Sequence, residues 1–539
     1  MAPQSPPSDP PPLTSLLGRG RAAVGELFLA RAELSPDRPC LRFAGRAWTY
    51  AEARLEAERF AGWLAAREGG PPARVASYLP NRPEAMWAWL GTLLAGSVYV
   101  PLNRAHRGPL LADMLDRSGA AIVVTDAEGL AGLPEPGPAG PAVLVAGGGA
   151  SAPALPWAEV EASAPLARPV TDPAALAEVM FTSGTTGRSK AVLIPHNYLA
   201  RGAGWVAWSL GLGPEDTVHA WLPLFHIGGQ LDTALAFIVA GGTIALQPTF
   251  SRSRFWQQVD ESRATVFVGF SNVLEILWAM EPRPGETGGA LRAGIVGGIP
   301  PKLHDDFEAR FGLRLHDVYG MTEAEPLAFP RPGEPAPVGS AGPASPDFEV
   351  AILDSEGRRL GAGELGQIVF RPRVPDVMLS GYEGDPEAFL AASAGLWFHT
   401  GDLGRVDAEG NVAFVDRAKH AIRRRGENIS SFELERLILA HEQVEECSVV
   451  GIPSPLGEED VKAVVAPRDG ASIEPAALRS WCAEQMAAFM VPRYIDVREK
   501  LPRGPTGKVQ KEELAAISAS VFDAEAGGRP QTTQTGRES

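Results

Sequence analysis

Ten residues combine types and spacing suited to one kind of ligand: Phe181-Thr182-Ser183-Gly184-Thr185-Thr186-Gly187-Arg188-Ser189-Lys190. Glycine tolerates positive φ and lets backbone approach a ligand closely. Amide and hydroxyl donors then point inward, and lysine supplies counter-charge. Such a run suits a polyphosphate. It is not a Walker A loop, because Lys190 is not preceded by glycine and the spacing differs. The bland alternative is a flexible Ser/Thr/Gly turn between two strands. The density of hydroxyls ending in a lysine favours the phosphate cradle.

A loop of this kind needs rigid elements on both sides. Val179–Phe181 precedes it and Ala191–Ile194 follows it, both short and apolar like buried strands. Similar runs occur at Val75–Leu79, Ala121–Thr125, Thr243–Leu246 and Ala264–Val268, and helix-like spacing occupies Ala85–Ala95 and Pro109–Ser118. Strand–helix alternation predicts α/β layers with parallel sheets. Around Phe348–Leu353 and Gly366–Phe370 short strands broken by Gly and Pro predict a small β-rich unit. After Asp416 a segment with its own strands, Cys447–Val450 and Val461–Val465, predicts a separate small domain. The 59 glycines and 49 prolines of this 539-residue chain concentrate partly at the ends and in 132–156, read as a surface excursion.

Composition excludes several classes. The formal charge of −16 argues against a general nucleic-acid or anionic-membrane binder. No apolar run is long enough for a membrane-spanning helix, and the first residues lack the pattern of a signal peptide. Three scattered cysteines, Cys40, Cys447 and Cys482, offer neither a disulfide framework nor a thiolate metal cluster. The expectation is a cytoplasmic, multi-domain protein.

Further motifs follow in order: Trp221-Leu222-Pro223-Leu224-Phe225-His226, Val296-Gly297-Gly298-Ile299-Pro300, Tyr319-Gly320-Met321-Thr322-Glu323, Thr400-Gly401-Asp402, Asp416-Arg417-Ala418-Lys419 and Pro502–Lys508. With the phosphate loop, this series resembles the adenylate-forming superfamily of acyl- and aryl-CoA synthetases, peptide-synthetase adenylation domains and firefly-type luciferases. The runs Arg424–Glu435 and Trp481–Pro492 most resemble the crotonobetaine/carnitine-CoA ligase-like clade.

The resemblance implies an α/β fold: a large N-terminal domain of two α/β subdomains plus a small β-barrel-like subdomain, then a small mobile α+β domain. The boundaries expected are tails at 1–20 and 518–539, an AMP-binding domain over 21–416 and a C-terminal domain over 417–517. It implies ATP, Mg²⁺ and coenzyme A as cofactor and co-substrates, and a hydrophobic carboxylic acid, extending to bulky or polycyclic ones, as substrate. The acid becomes an acyl-adenylate with release of pyrophosphate, and a thiol then attacks the mixed anhydride.

Residue by residue, the resemblance assigns Thr182, Ser183, Gly184, Thr185, Thr186, Gly187 and Lys190 to the β- and γ-phosphates. Thr322 would meet the α-phosphate and Glu323 would hold Mg²⁺. Tyr319, Gly320, Gly297, Gly298 and Asp317 would surround adenine, Asp402 and Arg417 the ribose, and His226 the acyl-pocket segment. Lys508 would bridge the substrate carboxylate and the α-phosphate. Rotation about Lys419 would then exchange it for the 423–428 loop, with Gly426 lining the pantetheine tunnel and neighbouring arginines meeting coenzyme A phosphates. Trp205, Phe270, Asn272, Trp278 and Met321 are candidates to shape the acyl cavity, with structural core as the alternative for the tryptophans.

Amino-acid-activating members carry Asp where this chain has His226, which disfavours an α-amino acid. Two other acceptors stay open: a carrier protein or separate thiolation partner, and an amine. Related enzymes are often homodimers. A nucleotide-binding scaffold without catalysis is the remaining alternative, opposed by the intact Lys190, Glu323, Asp402 and Lys508.

Overall fold

β-branched and aromatic residues in the runs Arg74–Tyr78, Val98–Pro101 and Ile122–Asp126 form adjacent parallel strands, apolar on both faces because helices cover both sides. The computed structural model describes residues 21–67, 73–134, 140–150, 153–166, 172–182, 189–282, 289–354, 356–417, 421–425, 427–454, 458–502, 509, 511–516 and 521–525. Within these, the three strands belong to a sheet that continues through Leu176–Thr182 and Lys190–Pro195, an antiparallel pair, to the edge strand Gly381–Tyr382. The loop 183–188, read above as the phosphate cradle, lies outside the described residues.

A second sheet runs in the order Arg314–Asp317, Ala293–Gly297, Val266–Phe270, Thr217–Ala220, Thr243–Leu246, Pro39–Phe43, Arg46–Thr49, parallel except for its last pair. Helix Pro83–Leu94 is buried at every position except Glu84. A helix apolar all round must be covered on all sides, and this one lies within the main buried core. Four antiparallel strands, Phe348–Leu353, Gly366–Pro372, Phe398–Val406 and Val412–Arg417, form the β-rich unit.

The C-terminal segment forms the hairpin Ala421–Arg424/Glu427–Ser430 and a sheet of Val444–Pro453, Glu459–Pro467, Tyr494–Val497 and Phe522–Asp523. Helix Pro475–Gln485 docks this sheet against helix Gly108–Ser118: Cys482, Met486 and Met490 share one buried cluster with Leu110, Leu111 and Met114. The Phe489 ring stands 6.3 Å from His106 at the same seam.

Three expectations are corrected. The 132–156 stretch is not all surface excursion, since Ala142–Ala146 pairs in parallel with Ile122–Asp126 and buries Leu144, Val145 and Ala146. Its Gly- and Pro-rich flanks hide an apolar five-residue strand. The 518–539 tail is not wholly unstructured. Phe522 and Asp523 pair with Ile495 and Tyr494, and buried Asp523 accepts from Arg493 Nε at 3.1 Å. Finally, Arg424 does not join a basic surface. It is buried, paired with Asp460 at 3.0 Å, and donates to the Val491 carbonyl at 2.7 Å. Strand alternation explains this, because it turns Arg424 inward where its neighbour Arg423 faces the other way.

Candidate active site

The strand following the phosphate loop begins at Lys190, and the edge strand Gly381–Tyr382 registers Tyr382 opposite Val192. Residues two apart share a strand face, so Lys190 and Tyr382 lie on the same side. The Lys190 ammonium sits 4.5 Å from the Tyr382 ring centroid, and the Tyr382 hydroxyl donates to Glu323 Oε1 at 2.8 Å. Burial and the Glu323 charge push the Tyr382 phenol far above its ordinary range, so it stays a donor. The Glu323 backbone is held too, its carbonyl accepting from Leu379 N–H at 2.8 Å. A lysine, a phenol and a carboxylate from three separate chain segments thus form one line.

A second line joins the remaining motifs. The Tyr319 hydroxyl donates to Asp402 Oδ2 at 2.9 Å, and its ring lies parallel to Phe414 at 6.1 Å. Asp402 is buried in Phe398–Val406, registered across from Arg417, and its N–H donates to Thr400 Oγ1. Gly298 has φ of +76°, a left-handed conformation open to glycine, and Asp317 accepts from the Gly298 and Ile299 N–H groups at 2.9 and 3.1 Å. Burial pushes the Asp317 carboxyl up to about 6 despite these bonds.

The Phe270 ring lies beside Gly297, its register partner, and the Arg423 guanidinium stands 5.2 Å over that ring. The hairpin of the C-terminal segment therefore reaches the site. Trp205 does not: it packs on Trp208 and Phe329 and donates to Asp347 at 2.8 Å. Trp278 is partly exposed beneath Arg310. Ser183, Gly184, Thr185, Thr186, Gly187, Lys419, Gly426 and Lys508 lie outside the described residues, and Arg417 is described by its backbone alone.

Beyond His226 the helix widens to π geometry over Gly228–Leu235, a form frequent at functional sites. The His226 carbonyl accepts from the Gly229 and Gln230 N–H groups, and its ring packs against Phe225 in a tilted contact with centroids 4.7 Å apart. Gly229 is required here, since a Cβ would stand 2.2 Å from the Pro223 carbonyl oxygen. This wide turn carries Gln230 and Asp232 inward. Tyr198 donates to the Met321 and Thr322 carbonyls at 3.4 and 3.2 Å, and the charges of Glu325, Asp232, Glu323 and Glu178 all reach its hydroxyl. Burial pushes Glu178 up to about 8, opposed by the Trp89 Nε1 hydrogen bond at 2.5 Å. Burial raises Asp232, while burial together with the Asp232 charge raises Glu325.

Neither Tyr382 nor this carboxylate cluster is legible as functional in the sequence. An isolated Gly-Tyr and scattered acidic residues carry no local signal. Only long-range strand pairing and the π turn bring them to the motifs.

The description "AMP-binding enzyme" matches residues 28–382, and "AMP-binding enzyme C-terminal domain" matches residues 433–508. A sulfoacetate–CoA ligase of Cupriavidus necator is 34% identical over 504 residues, covering 91% of this chain and 97% of that protein. A crotonobetaine/carnitine–CoA ligase of Salmonella heidelberg is 33% identical, covering 87% and 93%. Among solved structures, an amide bond synthetase from Marinactinospora thermotolerans superposes with TM-score 0.80 at 26% identity, covering 92% of this chain and 99% of that one. An o-succinylbenzoate CoA synthetase from Bacillus subtilis, bound with a product analogue, gives 0.77 at 25%, covering 90% and 98%. An ATP-bound MatB from Rhodopseudomonas palustris gives 0.66 at 28%, covering 91% and 98%.

Proposed function

The chain belongs to the AMP-binding enzymes and is an acid–thiol ligase of the adenylate-forming kind, and from that membership we propose that it couples ATP to activation of a hydrophobic carboxylic acid as acyl-AMP, then transfers the acyl group to coenzyme A. The observation that carries this reading is the convergence of Lys190, Tyr382 and Glu323 beside the Tyr319–Asp402 pair.

Carboxylates are poor electrophiles, and adenylation supplies a good leaving group. Its transition state gathers charge on the α-phosphate and departing pyrophosphate, so positioned cations and donors do most of the work. In this reading Lys190, with Thr182 and the loop to Gly187, holds the β- and γ-phosphates. Thr322 donates to the α-phosphate, Asp402 accepts from the ribose hydroxyls with Arg417 donating nearby, and Tyr319 packs on adenine beside Gly320. Asp317 holds the Gly297–Gly298 turn as the wall of that pocket. Lys508 joins the two anions during adenylation.

Glu323 fits a Mg²⁺ role. Among the described residues no cluster of three ligating side chains exists, and Mg²⁺ commonly binds through one carboxylate, water and substrate phosphates. When bound, the ion neutralises phosphate charge. Tyr382 orients the Glu323 carboxylate, and Lys190 over the Tyr382 ring ties that orientation to the phosphate loop. Tyr382→Phe is expected to slow adenylation by roughly tenfold and raise the Mg²⁺ concentration needed for half-maximal rate. Pyrophosphate release across a Mg²⁺ titration checks this; an unchanged Mg²⁺ dependence would count against the role.

The Arg423–Phe270 contact supports an orientation in which the hairpin, with Gly426, serves thioester formation after rotation about Lys419. The likeness to an amide bond synthetase favours one second reading, in which an amine rather than coenzyme A accepts the acyl group. A carrier or thiolation partner is the remaining acceptor. The test is pyrophosphate release with a panel of acids, with and without coenzyme A, followed by product mass spectrometry. Acyl-AMP without acyl-CoA discards the coenzyme A reading, and no pyrophosphate from any acid discards adenylation. Among the described residues no helix is long and apolar enough to cross a membrane.

A further inference from the structure

The loop that leaves strand Arg74–Tyr78 carries Asn81, a buried carboxamide. It lies at the carboxyl ends of strands from both large sheets, the edge of an open α/β sheet where ligands bind. Across from it, Trp221 follows Thr217–Ala220 and Gln247 follows Thr243–Leu246. Those two strands are parallel neighbours, and their ladder ends where the Gln247 N–H donates to the Ala220 carbonyl at 2.7 Å. Beyond that rung both segments leave the sheet, and Asn81 holds them. Its Nδ2 donates to the Leu222 carbonyl at 2.9 Å and the Gln247 carbonyl at 3.1 Å, with the Trp221 carbonyl at 3.4 Å. Its Oδ1 accepts from the Leu224 N–H at 2.9 Å.

Both ends of the carboxamide are therefore in use. A carboxylate of the same shape lacks the donors, and an apolar side chain lacks everything. The backbone so held leads directly to His226. The Pro223 carbonyl accepts from the His226 N–H at 3.0 Å, and the π turn begins two residues later. Gly229 of that turn presses on the same backbone, where a Cβ would stand 2.2 Å from the Pro223 carbonyl oxygen and 3.0 Å from that of Leu222. The Trp221 ring lies against Gly269, 3.2 Å from a Cβ placed there and one residue before Phe270. Residues 221–226 are thus closed in by the π turn and by Gly269, with Asn81 pinning their backbone.

We propose that Asn81 is a positioning residue for the acid substrate: its carboxamide fixes the Trp221–His226 wall, and the π turn behind it, across the boundary between the two large sheets. This deepens the proposed function and rests on it, because that reading places the acyl group beside His226. Asn81 acts through the backbone of the wall. The groups assigned to ATP, among them Lys190, Glu323, Tyr319 and Asp402, are held by a separate set of contacts. Loss of the carboxamide therefore reads out in how acids are used, and a shift of about 1 Å in such a wall is enough to be felt.

The test compares the full-length enzyme with Asn81→Ala and Asn81→Asp, using straight-chain acids from butanoate to decanoate together with benzoate and cinnamate. Pyrophosphate release gives kcat and KM for each acid and for ATP. Asn81→Ala should raise KM for the best-used acid roughly tenfold and change the order of preference among acids, with KM for ATP within about twofold of wild type. Asn81→Asp keeps the volume and the oxygen facing Leu224, yet turns an acceptor toward the Leu222 and Gln247 carbonyls, and should do no better than alanine. An amide needed only for folding would lower the melting temperature and the active fraction, scaling kcat for every acid alike. That pattern, or equal rises in both KM values, overturns the proposal and leaves adenylation standing. A wild-type measurement decides where the variants do not fold. Backbone amides within 221–226 should exchange with deuterium slowly, and equally so with and without cinnamate, as a wall set in advance requires. Fast exchange there overturns the proposal. No pyrophosphate from any acid with the wild type overturns adenylation itself.

Discussion

Replacing Lys508 by alanine should cut acyl-AMP formation by roughly two to three orders of magnitude while thiolysis of supplied acyl-AMP continues. The reason is electrostatic. The acid carboxylate and the α-phosphate repel as they approach, and one ammonium between them offsets that repulsion. At an effective dielectric near 20 a unit charge at about 4 Å is worth about 4 kcal/mol, and each ~1.4 kcal/mol is tenfold in rate. Thioester formation breaks the bond to AMP with a neutral or thiolate nucleophile and has no such pair to join. Arg423 against Phe270 belongs to that second step in the proposed cycle. Two assays decide it: pyrophosphate release from acid plus ATP, and coenzyme A consumption with synthetic acyl-AMP. Equal loss in both would refute alternation of the C-terminal domain.

Glu323→Gln should be the next most damaging change, lowering adenylation by about a hundredfold or more with no rescue by added Mg²⁺. The amide keeps the shape of the carboxylate and can still accept from the Tyr382 hydroxyl, and the backbone remains tied through Leu379. What disappears is the negative charge. The melting temperature should hold, or rise slightly, because a buried charge is removed. Tyr382→Phe does the reverse, keeping the charge and losing its alignment. Excess Mg²⁺ should therefore restore part of the Tyr382→Phe rate and none of the Glu323→Gln rate. Mn²⁺ binding in the presence of ATP, followed by electron paramagnetic resonance, separates the two without reference to turnover. Identical metal affinities in both variants would exclude the proposed division of labour.

Much of the fold could be read locally. The runs at 75–79, 121–125, 243–246 and 264–268 are apolar over strand length, and each proves to be a buried strand within a residue or two of the expected bounds. Such runs have nowhere to go but a sheet covered on both faces. Ala142–Ala146 escaped because its flanks carry the Gly and Pro of a loop, so pairing to Ile122–Asp126 outweighed them. Phe522–Asp523 escaped for the opposite reason. Two residues have no periodicity, and their place is set by Arg493, which pairs with both Asp460 and Asp523.

The same division holds at the site. Residue order and type alone determined which chemistry the chain is equipped for: a hydroxyl- and glycine-rich loop ending in Lys190, the Thr322-Glu323 pair, Asp402, and a distant Lys508. In the proposed reading those motifs are contiguous because each would bind its part of a ligand through consecutive backbone and side-chain donors, which leaves a local trace. Tertiary structure decided what stands behind them. It put Tyr382 between Lys190 and Glu323, and turned Arg424 into its own domain while Arg423 reached Phe270. It also gathered Glu178, Asp232 and Glu325 around Tyr198. Each of these depends on which strands become neighbours and which face a residue takes. Partners far apart along the chain meet only when the sheets close and water is excluded, and burial then raises the carboxyl groups of Glu178 and Asp232 above their ordinary range.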